Sequence, residues 1–203
     1  ERGLPANSQN RSNPNGCVLM FYHDGTIPNT NPYIDTPNVL NEIYSYGHRN
    51  PQGMALHPTS GDIWLHEHGP KGGDEINIIE PAANYGWPLV TFGVNYNGTV
   101  ISEDTTAPGI TDPIHYWDPS IAPCGMALIN HPRYGQYHRQ LIIGALAQRK
   151  MQICFLNGDD VAREETILND FARFRDVKMS PDGYMYVLCE APGHLLKLIP
   201  EEK

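Results

Sequence analysis

The chain has 203 residues and a formal charge of −9 at pH 7, which arises from 23 acidic and 14 basic residues. Its hydrophobic fraction of 40% is enough for a folded core and differs from the composition of disordered chains. The acidic balance gives no net basic field for a nucleic-acid backbone, and no run approaches the roughly 18 apolar residues of a membrane-spanning helix.

The chain begins without Met, in the loop-like stretch ERGLPANSQNRSNPNG, so we expect a truncated or processed start. The 19 glycines and 18 prolines favour many short elements joined by turns, and the 11 tyrosines suit a pleated sheet. The four cysteines lack the CxxC spacing of a zinc site, and we favour buried free thiols over a disulfide. They are Cys17, Cys124, Cys154 and Cys189.

Three segments share one pattern, a strand, a turn that contains Pro and Gly, and a second strand. They run from Gly53 to Leu65, from Gly125 to Leu146 and from Asp176 to Leu188. In the last, SPDG between alternating apolar positions predicts a hairpin, because Pro fixes φ and Gly accepts positive φ. The recurrence predicts an all-β chain, a β-propeller with a β-sandwich as the weaker alternative. At about 45 residues per blade, residues 1–203 make one partial propeller domain of about four blades or fewer.

The first polar motif is GHRNPQG, which precedes the first of these strands. Pro51 disfavours the helical conformation at Asn50 and so gives Arg49 and Asn50 a defined direction. A directed guanidinium can bind a planar anion through two hydrogen bonds. The alternative is a rigid loop in which Arg49 is simply solvated.

The second motif, HEHGPKGGDE, places two histidines around Glu67. The helical HExxH spacing of zinc enzymes is absent, and the surroundings indicate a strand end and a loop. Glycines followed by Asp and Glu suit a hard cation such as Ca²⁺, which binds carboxylates and backbone carbonyls. The alternative is a glycine-rich turn with solvated acids.

The third motif is RFRD, in which Arg173 and Arg175 lie two residues apart before a strand. On an extended segment both side chains point to the same face, where they repel each other unless an anion lies between them. A salt bridge to Asp170 or Asp176 is the alternative. Together the three motifs predict a site for a multiply anionic planar ligand and Ca²⁺.

Four stretches carry a resemblance to a known family: YGHRNPQGMA, EHGPKGGDEIN, NYGWP and RFRDVKMSPDGYMYVL. They resemble, in order and spacing, the soluble aldose sugar dehydrogenases that use pyrroloquinoline quinone (PQQ), the glucose/sorbosone dehydrogenase family. The resemblance implies a six-bladed β-propeller that holds PQQ beside a calcium ion. It also implies a periplasmic or secreted bacterial enzyme that acts on an aldose and passes electrons to an external acceptor.

The resemblance also assigns roles to individual residues. The cofactor-binding residues it implies are Arg49, Asn50, Tyr96, Arg173 and Arg175. The carbonyls of Gly69 and Pro70 match the ligands of an active-site calcium ion, and Asp74, Glu75 and the carbonyl of Tyr85 match a separate structural calcium site.

The implied mechanism is hydride transfer from the anomeric carbon of the sugar to PQQ, with Ca²⁺ as Lewis acid and a histidine as base. The family's histidine lies upstream of the motifs present here, so no catalytic residue is assigned, and His48 is interpreted as a loop residue. Two positions depart from the family pattern: Ala147 stands where glucose-active members have a lysine, and Cys124 stands where serine is more usual.

Two other functions remain open from the sequence. One is a propeller fragment without redox activity that serves as a binding or calcium-stabilised structural module. A weaker one is a calcium-dependent lactone hydrolase, against which the paired arginines argue because a lactone is neutral. An incomplete propeller exposes strand edges and apolar faces, so we expect self-association or low stability of the isolated chain.

Overall fold

The computed structural model describes residues 3–190 and 193–201. Within these residues the chain forms two short 3₁₀ helices, Pro5–Gln9 and Pro132–Tyr137, and otherwise only β-strands and loops. The strands are, in chain order, β1 (Val18–Leu19), β2 (Ile43–Ser45), β3 (Pro51–Leu56), β4 (Ile63–Glu67), β5 (Asp74–Ile79), β6 (His115–Trp117), β7 (Pro123–Leu128), β8 (Leu141–Ala145), β9 (Met151–Asn157), β10 (Asp160–Ile167), β11 (Arg173–Met179), β12 (Met185–Glu190) and β13 (His194–Leu198). The prediction of an all-β chain is confirmed.

The described residues divide into two compact units. The first comprises the chain up to Pro51 together with Glu67–Pro119. The second comprises Gln52–His66 together with the chain from Ser120 onward. Each unit has its own strands and its own buried side chains.

In the first unit, two antiparallel strand pairs are joined by long irregular loops. β1 pairs with β2, and β5 pairs with β6 so that Asp74 lies opposite Trp117. The NYGWP segment runs beside the polar loop that precedes β3, since Tyr85 N–H donates to the carbonyl of Tyr46 at 2.9 Å and Trp87 N–H to that of Gly47 at 2.8 Å. These backbone bonds bring two of the family-like motifs side by side.

The second unit contains two complete antiparallel sheets, with strand orders β10-β9-β8-β7 and β11-β12-β13. All five residues of β8 are buried, as its apolar sequence LIIGA requires. The side chains of both sheets share one apolar core that includes Ile142, Met151, Ile153, Phe174, Val177, Met185 and Val187. β3 and β4 are also neighbours within this unit.

The three predicted strand–turn–strand segments are confirmed. They correspond to β3 and β4, to β7 and β8, and to β11 and β12, and the second of them adds a 3₁₀ helix between its strands. In the SPDG turn Gly183 has a φ of +76°, and its N–H donates to the carbonyl of Ser180 at 2.9 Å. The turn chemistry of Pro and Gly therefore predicted the local structure correctly.

All four cysteines are free thiols, as predicted, and three of them are buried, whereas Cys17 is half-buried. Burial raises the pKa of the Cys17 thiol to about 11, so this group is protonated at neutral pH. In the part of the chain that the structure describes, there is no helix with the length and apolar character needed to cross a membrane.

Candidate functional site

One buried carboxylate, that of Glu67 at the end of β4, holds the polar loop that precedes β3. Its Oε2 accepts hydrogen bonds from the backbone N–H of Arg49 at 2.6 Å and of Asn50 at 3.2 Å. Its Oε1 accepts from Nδ1 of His48 at 2.8 Å. Glu67 therefore fixes the backbone direction of the two residues that were predicted to bind an anion.

Glu67 is ionised in this environment. Burial alone would raise the pKa of Glu67, but the His48 ring and the two backbone donors outweigh burial, so the pKa is lowered overall. The amide of Asn77 adds a further hydrogen bond to Oε1 at 3.3 Å. A buried carboxylate needs such donors because it has lost its contacts with water.

Ser45, His48 and Glu67 form a hydrogen-bonded chain that resembles the nucleophile, base and acid of some hydrolases. Nε2 of His48 lies 3.0 Å from Oγ of Ser45. The relative exposure of these residues is 0%, 0% and 3%, so a substrate has no path to the serine. His48 also stacks on Tyr85, with 4.5 Å between ring centres. His48 is therefore a buried anchor of the loop, and its interpretation as an ordinary loop residue was incomplete.

The Arg49 side chain is held in one direction. Its guanidinium carbon lies 5.2 Å from the ring centre of Trp87, and its Nη1 donates to the carbonyls of His68, at 2.9 Å, and Gly69. Arg49 is only 8% exposed. The alternative of a solvated Arg49 is therefore wrong, because stacking and two carbonyl bonds fix this guanidinium.

An open cleft of about 500 Å³ lies beside Arg49. Its lining includes three of the predicted site residues, Arg49, Pro70 and Tyr96, and also Trp87. Tyr96 is 68% exposed, so a ligand can reach its ring. A cation and two aromatic rings around a cleft of this size suit a flat anionic ligand.

Asn50 is fixed beside the same loop. Besides the bond from its N–H to Glu67, its carbonyl accepts from the N–H of His68 at 3.0 Å, and its Nδ2 lies 3.5 Å from Nδ1 of His68. Asn50 is not among the residues that line the cleft. Its contact with a cofactor stays a prediction.

A second cavity, of about 10 Å³, has the size of a single water molecule or ion. Its lining includes the acids Glu67 and Glu75, the cation Arg49, and Gly69 and Tyr85. Burial, and then the charge of Glu67, raises the pKa of Glu75 well above its usual range. The amide of Asn77 lies between the two carboxylates, 3.4 Å from Oε2 of Glu75. A cation in this cavity would relieve the repulsion between the two acids.

The residues predicted as metal ligands occupy different places. Gly69, Glu75 and Tyr85 line the small cavity, whereas Pro70 lines the open cleft. Asp74 lines neither of these two, and its Oδ1 accepts from the N–H of Gly69 at 2.9 Å. Asp74 thus closes the glycine-rich loop, and its predicted role as a calcium ligand stays a prediction.

No group of three or more His, Cys, Asp and Glu side chains that could hold a metal ion occurs among residues 3–190 and 193–201. A cation site here would depend on the two carboxylates and on backbone carbonyls. The loop supplies carbonyls at close quarters, since any side chain at Gly69 would collide with the carbonyls of Gly72 and Gly73. Mixed carboxylate and carbonyl ligands are those that Ca²⁺ accepts.

The two remaining residues that were predicted to bind the cofactor, Arg173 and Arg175, belong to the second unit. Both guanidiniums contact the same oxygen, Oε2 of Glu190, from Nε of Arg173 at 2.9 Å and from Nη2 of Arg175 at 2.8 Å. The two arginines therefore converge on one anionic group, and their predicted contact with a cofactor stays a prediction. In this structure that group is a carboxylate of the chain itself.

The predicted alternative, a salt bridge from this pair to Asp170 or Asp176, is wrong. Asp170 lies 3.4 Å from Arg149, and Asp176 lies 3.8 Å from Lys178. The register of β11 and β12 gives the reason, because it places Arg173 directly opposite Glu190. Cross-strand neighbours, rather than neighbours in sequence, decide which charges meet.

Three residues that contact the predicted site residues, Glu67, Trp87 and Glu190, were not predicted from the sequence. Glu67 was considered only as part of a zinc-like HEH pattern, and its contacts with Arg49 and Asn50, 18 and 17 positions away in the chain, left no local signal. Trp87 lies in the quoted NYGWP motif but received no role. Glu190 carried no local signal, because its role depends on strand register.

A model of the glucose/sorbosone dehydrogenase family matches residues 1–197 of the chain. The aldose sugar dehydrogenase YliI of Escherichia coli (strain K12) is 46% identical over 189 residues, which are 91% of this chain and 51% of that protein. Quinoprotein glucose dehydrogenase B of Acinetobacter calcoaceticus is 48% identical over 75 residues, 37% of this chain and 15% of that protein.

The solved structure of the soluble aldose sugar dehydrogenase from Escherichia coli, in its apo form, is similar to this chain with a TM-score of 0.92 and 44% identity. The likeness covers 96% of this chain and 57% of that one. It confirms the predicted β-propeller fold, of which this chain is a part, over the β-sandwich. Two curated relatives match this chain along most of its length. The chain spans only about half the length of each of them, 51% and 47%.

Proposed function

Since the chain belongs to the glucose/sorbosone dehydrogenase family, we propose that it is the cofactor-holding part of a PQQ-dependent dehydrogenase of aldose sugars. The substrate is an aldose, which is oxidised at its anomeric carbon. Electrons leave to an external acceptor, and the protein acts in the periplasm or outside a bacterial cell.

One observation carries this proposal, the cleft that is lined both by the fixed Arg49 and by the exposed Tyr96. PQQ is a flat, multiply carboxylated molecule, so a site for it needs directed cations and flat apolar surfaces. The cleft offers one directed cation, Arg49, and the rings of Trp87 and Tyr96, and its volume of about 500 Å³ is within the usual range for small-molecule sites. The residues present therefore fit the cofactor.

The residues that line the small cavity between Glu67 and Glu75 likewise fit a calcium ion. The buried carboxylate of Glu67 and the half-buried carboxylate of Glu75 line it together with Arg49, and no cation of the chain is paired with Glu75 among the contacts of the described residues. Glu75 and the carbonyl of Tyr85 would hold the structural ion, whereas the carbonyls of Gly69 and Pro70 would hold the ion beside the cofactor.

When bound, PQQ supplies the acceptor of a hydride from the anomeric carbon, and Ca²⁺ supplies a Lewis acid for one of its carbonyls. The residues of this chain do the holding. Arg49 binds and orients an anionic group in the first unit, and Arg173 and Arg175 offer the same chemistry in the second. Glu67 keeps the Arg49 loop in place. The histidine that removes the hydroxyl proton belongs, by family resemblance, to sequence upstream of these motifs.

Self-association of the isolated chain also stays a prediction. It is supported by large apolar side chains that are exposed in the second unit, among them Leu188, Leu195 and Ile199. Exposed apolar side chains favour association when they form a continuous patch. Light scattering on the isolated chain tests it, and a monodisperse, highly stable monomer would contradict it.

The proposed activity is tested by dye reduction after PQQ, Ca²⁺ and an aldose are added to the 203-residue chain and to a version extended upstream. The expected result is aldose-dependent reduction by the extended protein and none by the short chain, because the short chain lacks the base. An extended protein that neither reduces dye nor retains quinone absorbance after desalting would overturn the proposal.

A further inference from the structure

The arginine pair of β11 is already occupied by an anion that belongs to the chain. Glu190 accepts from both guanidiniums through one oxygen, at 2.9 Å from Arg173 and 2.8 Å from Arg175. Hydrogen bonding from Arg173, supported by the charge of Arg175, lowers the pKa of Glu190, so the carboxylate is ionised at neutral pH. A ligand carboxylate that binds this pair must therefore compete with Glu190.

The position of Arg173 does not depend on Glu190 alone. Its Nη1 donates to the carbonyl of Leu146 at 3.1 Å, so this guanidinium has a second protein acceptor. The backbone of Arg173 is also paired within the β11–β12 ladder. Removing the Glu190 charge would leave Arg173 held from another side.

The position of Arg175 is fixed by a β-bulge. The β11–β12 register shifts between Phe174 and Asp176, which leaves Arg175 as the extra residue of β11. Its carbonyl accepts a hydrogen bond from the thiol of Cys124 at 3.0 Å. Gly125 allows this contact, because a side chain there would collide with the backbone of Asp176. The backbone of Arg175 is thus held without Glu190.

The pair is open to solvent and to ligands. The side chains of Arg173, Arg175 and Glu190 are 45%, 46% and 39% exposed. Nearby, Asp176 is in contact with Lys178 at 3.8 Å, so these two charges offset each other. Glu190 therefore halves the positive charge that the pair presents, from two units to one.

We propose that Glu190 is a specificity-determining residue, an internal carboxylate that occupies the Arg173–Arg175 pair and that a ligand carboxylate must displace. The inference rests on the proposed function, which assigns the pair to a carboxylate of the cofactor. A simple monoanion gains nothing when it exchanges with Glu190. A polyanionic cofactor has further carboxylates, whose contacts offset the free-energy cost of displacing Glu190. The arginine pair therefore favours such a cofactor over a simple monoanion.

The test compares the wild type with Glu190→Gln, which keeps the side-chain shape and removes the charge. Asp159→Asn is the matched control, because it changes the net charge equally at an exposed position in the turn between β9 and β10. The dissociation constant of PQQ is measured with Ca²⁺ by equilibrium dialysis. We expect Glu190→Gln to bind PQQ at least about threefold more tightly than the wild type, because the variant removes one exposed negative charge beside an anionic ligand. The control should bind PQQ as the wild type does.

A Glu190→Gln variant that binds PQQ equally or more weakly would overturn the inference and make Glu190 an organiser of the pair. If no variant binds PQQ, the proposed function fails, and a second probe decides the role of Glu190. Citrate is then titrated while the side-chain Nε–Hε signals of the arginines are followed by NMR. Tighter citrate binding by Glu190→Gln than by the wild type supports competition, and equal or weaker binding refutes it.

Discussion

The guanidinium of Arg49 donates a hydrogen bond to the carbonyl oxygen of Gly69. In the proposed function, this same carbonyl would hold the calcium ion beside the cofactor. A calcium ion at Gly69 would therefore lie next to a fixed positive charge that is only 8% exposed. Such a pair of cations is unfavourable unless an anion is bound with them, because screening by water is weak at a buried position.

This relationship predicts that calcium binds at Gly69 and Pro70 together with the quinone and weakly without it. Calorimetric titration of the protein with Ca²⁺ should give one tight site in the absence of PQQ, at Glu75, and two in its presence. The upstream-extended protein serves for both titrations. Two equally tight sites without PQQ would contradict the prediction.

Glu67→Gln should destabilise the protein by about 2–4 kcal/mol, because the amide donor that replaces one carboxylate oxygen faces N–H groups that need an acceptor. The affected donors are those of His48, Arg49 and Asn50. Urea unfolding measures the loss. Glu103→Gln, at an exposed loop position, is the control and should stay within about 0.5 kcal/mol of the wild type. Equal stability of both variants would show that Glu67 does not hold the loop.

Calcium should stabilise the protein through Glu75. At a concentration about 100-fold above its dissociation constant, a ligand that binds only the folded state adds about 2.7 kcal/mol to the free energy of unfolding. The melting temperature of the wild type should be higher with Ca²⁺ than with EDTA. The melting temperature of Glu75→Gln should hardly differ between the two conditions. The carboxamide also relieves the repulsion from Glu67, so this variant without calcium should match or exceed the wild type in EDTA. An undiminished calcium response in Glu75→Gln would place the ion elsewhere.

The thiol of Cys124 should support the bulge that carries Arg175. Burial raises the pKa of Cys124, so the thiol stays protonated at neutral pH and can donate to the Arg175 carbonyl. Cys124→Ser keeps a donor and should be near neutral, whereas Cys124→Ala leaves that carbonyl without it and should cost about 1 kcal/mol. Denaturant unfolding of the two variants separates these outcomes, and a serine variant less stable than the alanine variant would refute the role.

The sequence predicted the parts of this molecule that depend on local chemistry. Pro and Gly marked the three strand–turn–strand segments, and the residue types of GHRNPQG identified Arg49 as a directed cation. The partners of the charged side chains could not be predicted, because they depend on tertiary contacts. Glu67 meets Arg49 and Asn50 across 18 and 17 positions of the chain, and Glu190 meets Arg173 only through the register of two strands.

The central claim, that Arg49 forms part of a quinone site, is tested most directly by PQQ binding to Arg49→Ala in the presence of Ca²⁺. Arg163→Ala is the matched control, since Arg163 is also an arginine over an aromatic ring but lies on β10. We predict that the wild type and the control retain PQQ absorbance after desalting, and that Arg49→Ala binds PQQ at least about tenfold more weakly, as for loss of a charge-assisted contact. Equal PQQ affinity of Arg49→Ala and the wild type would contradict the account.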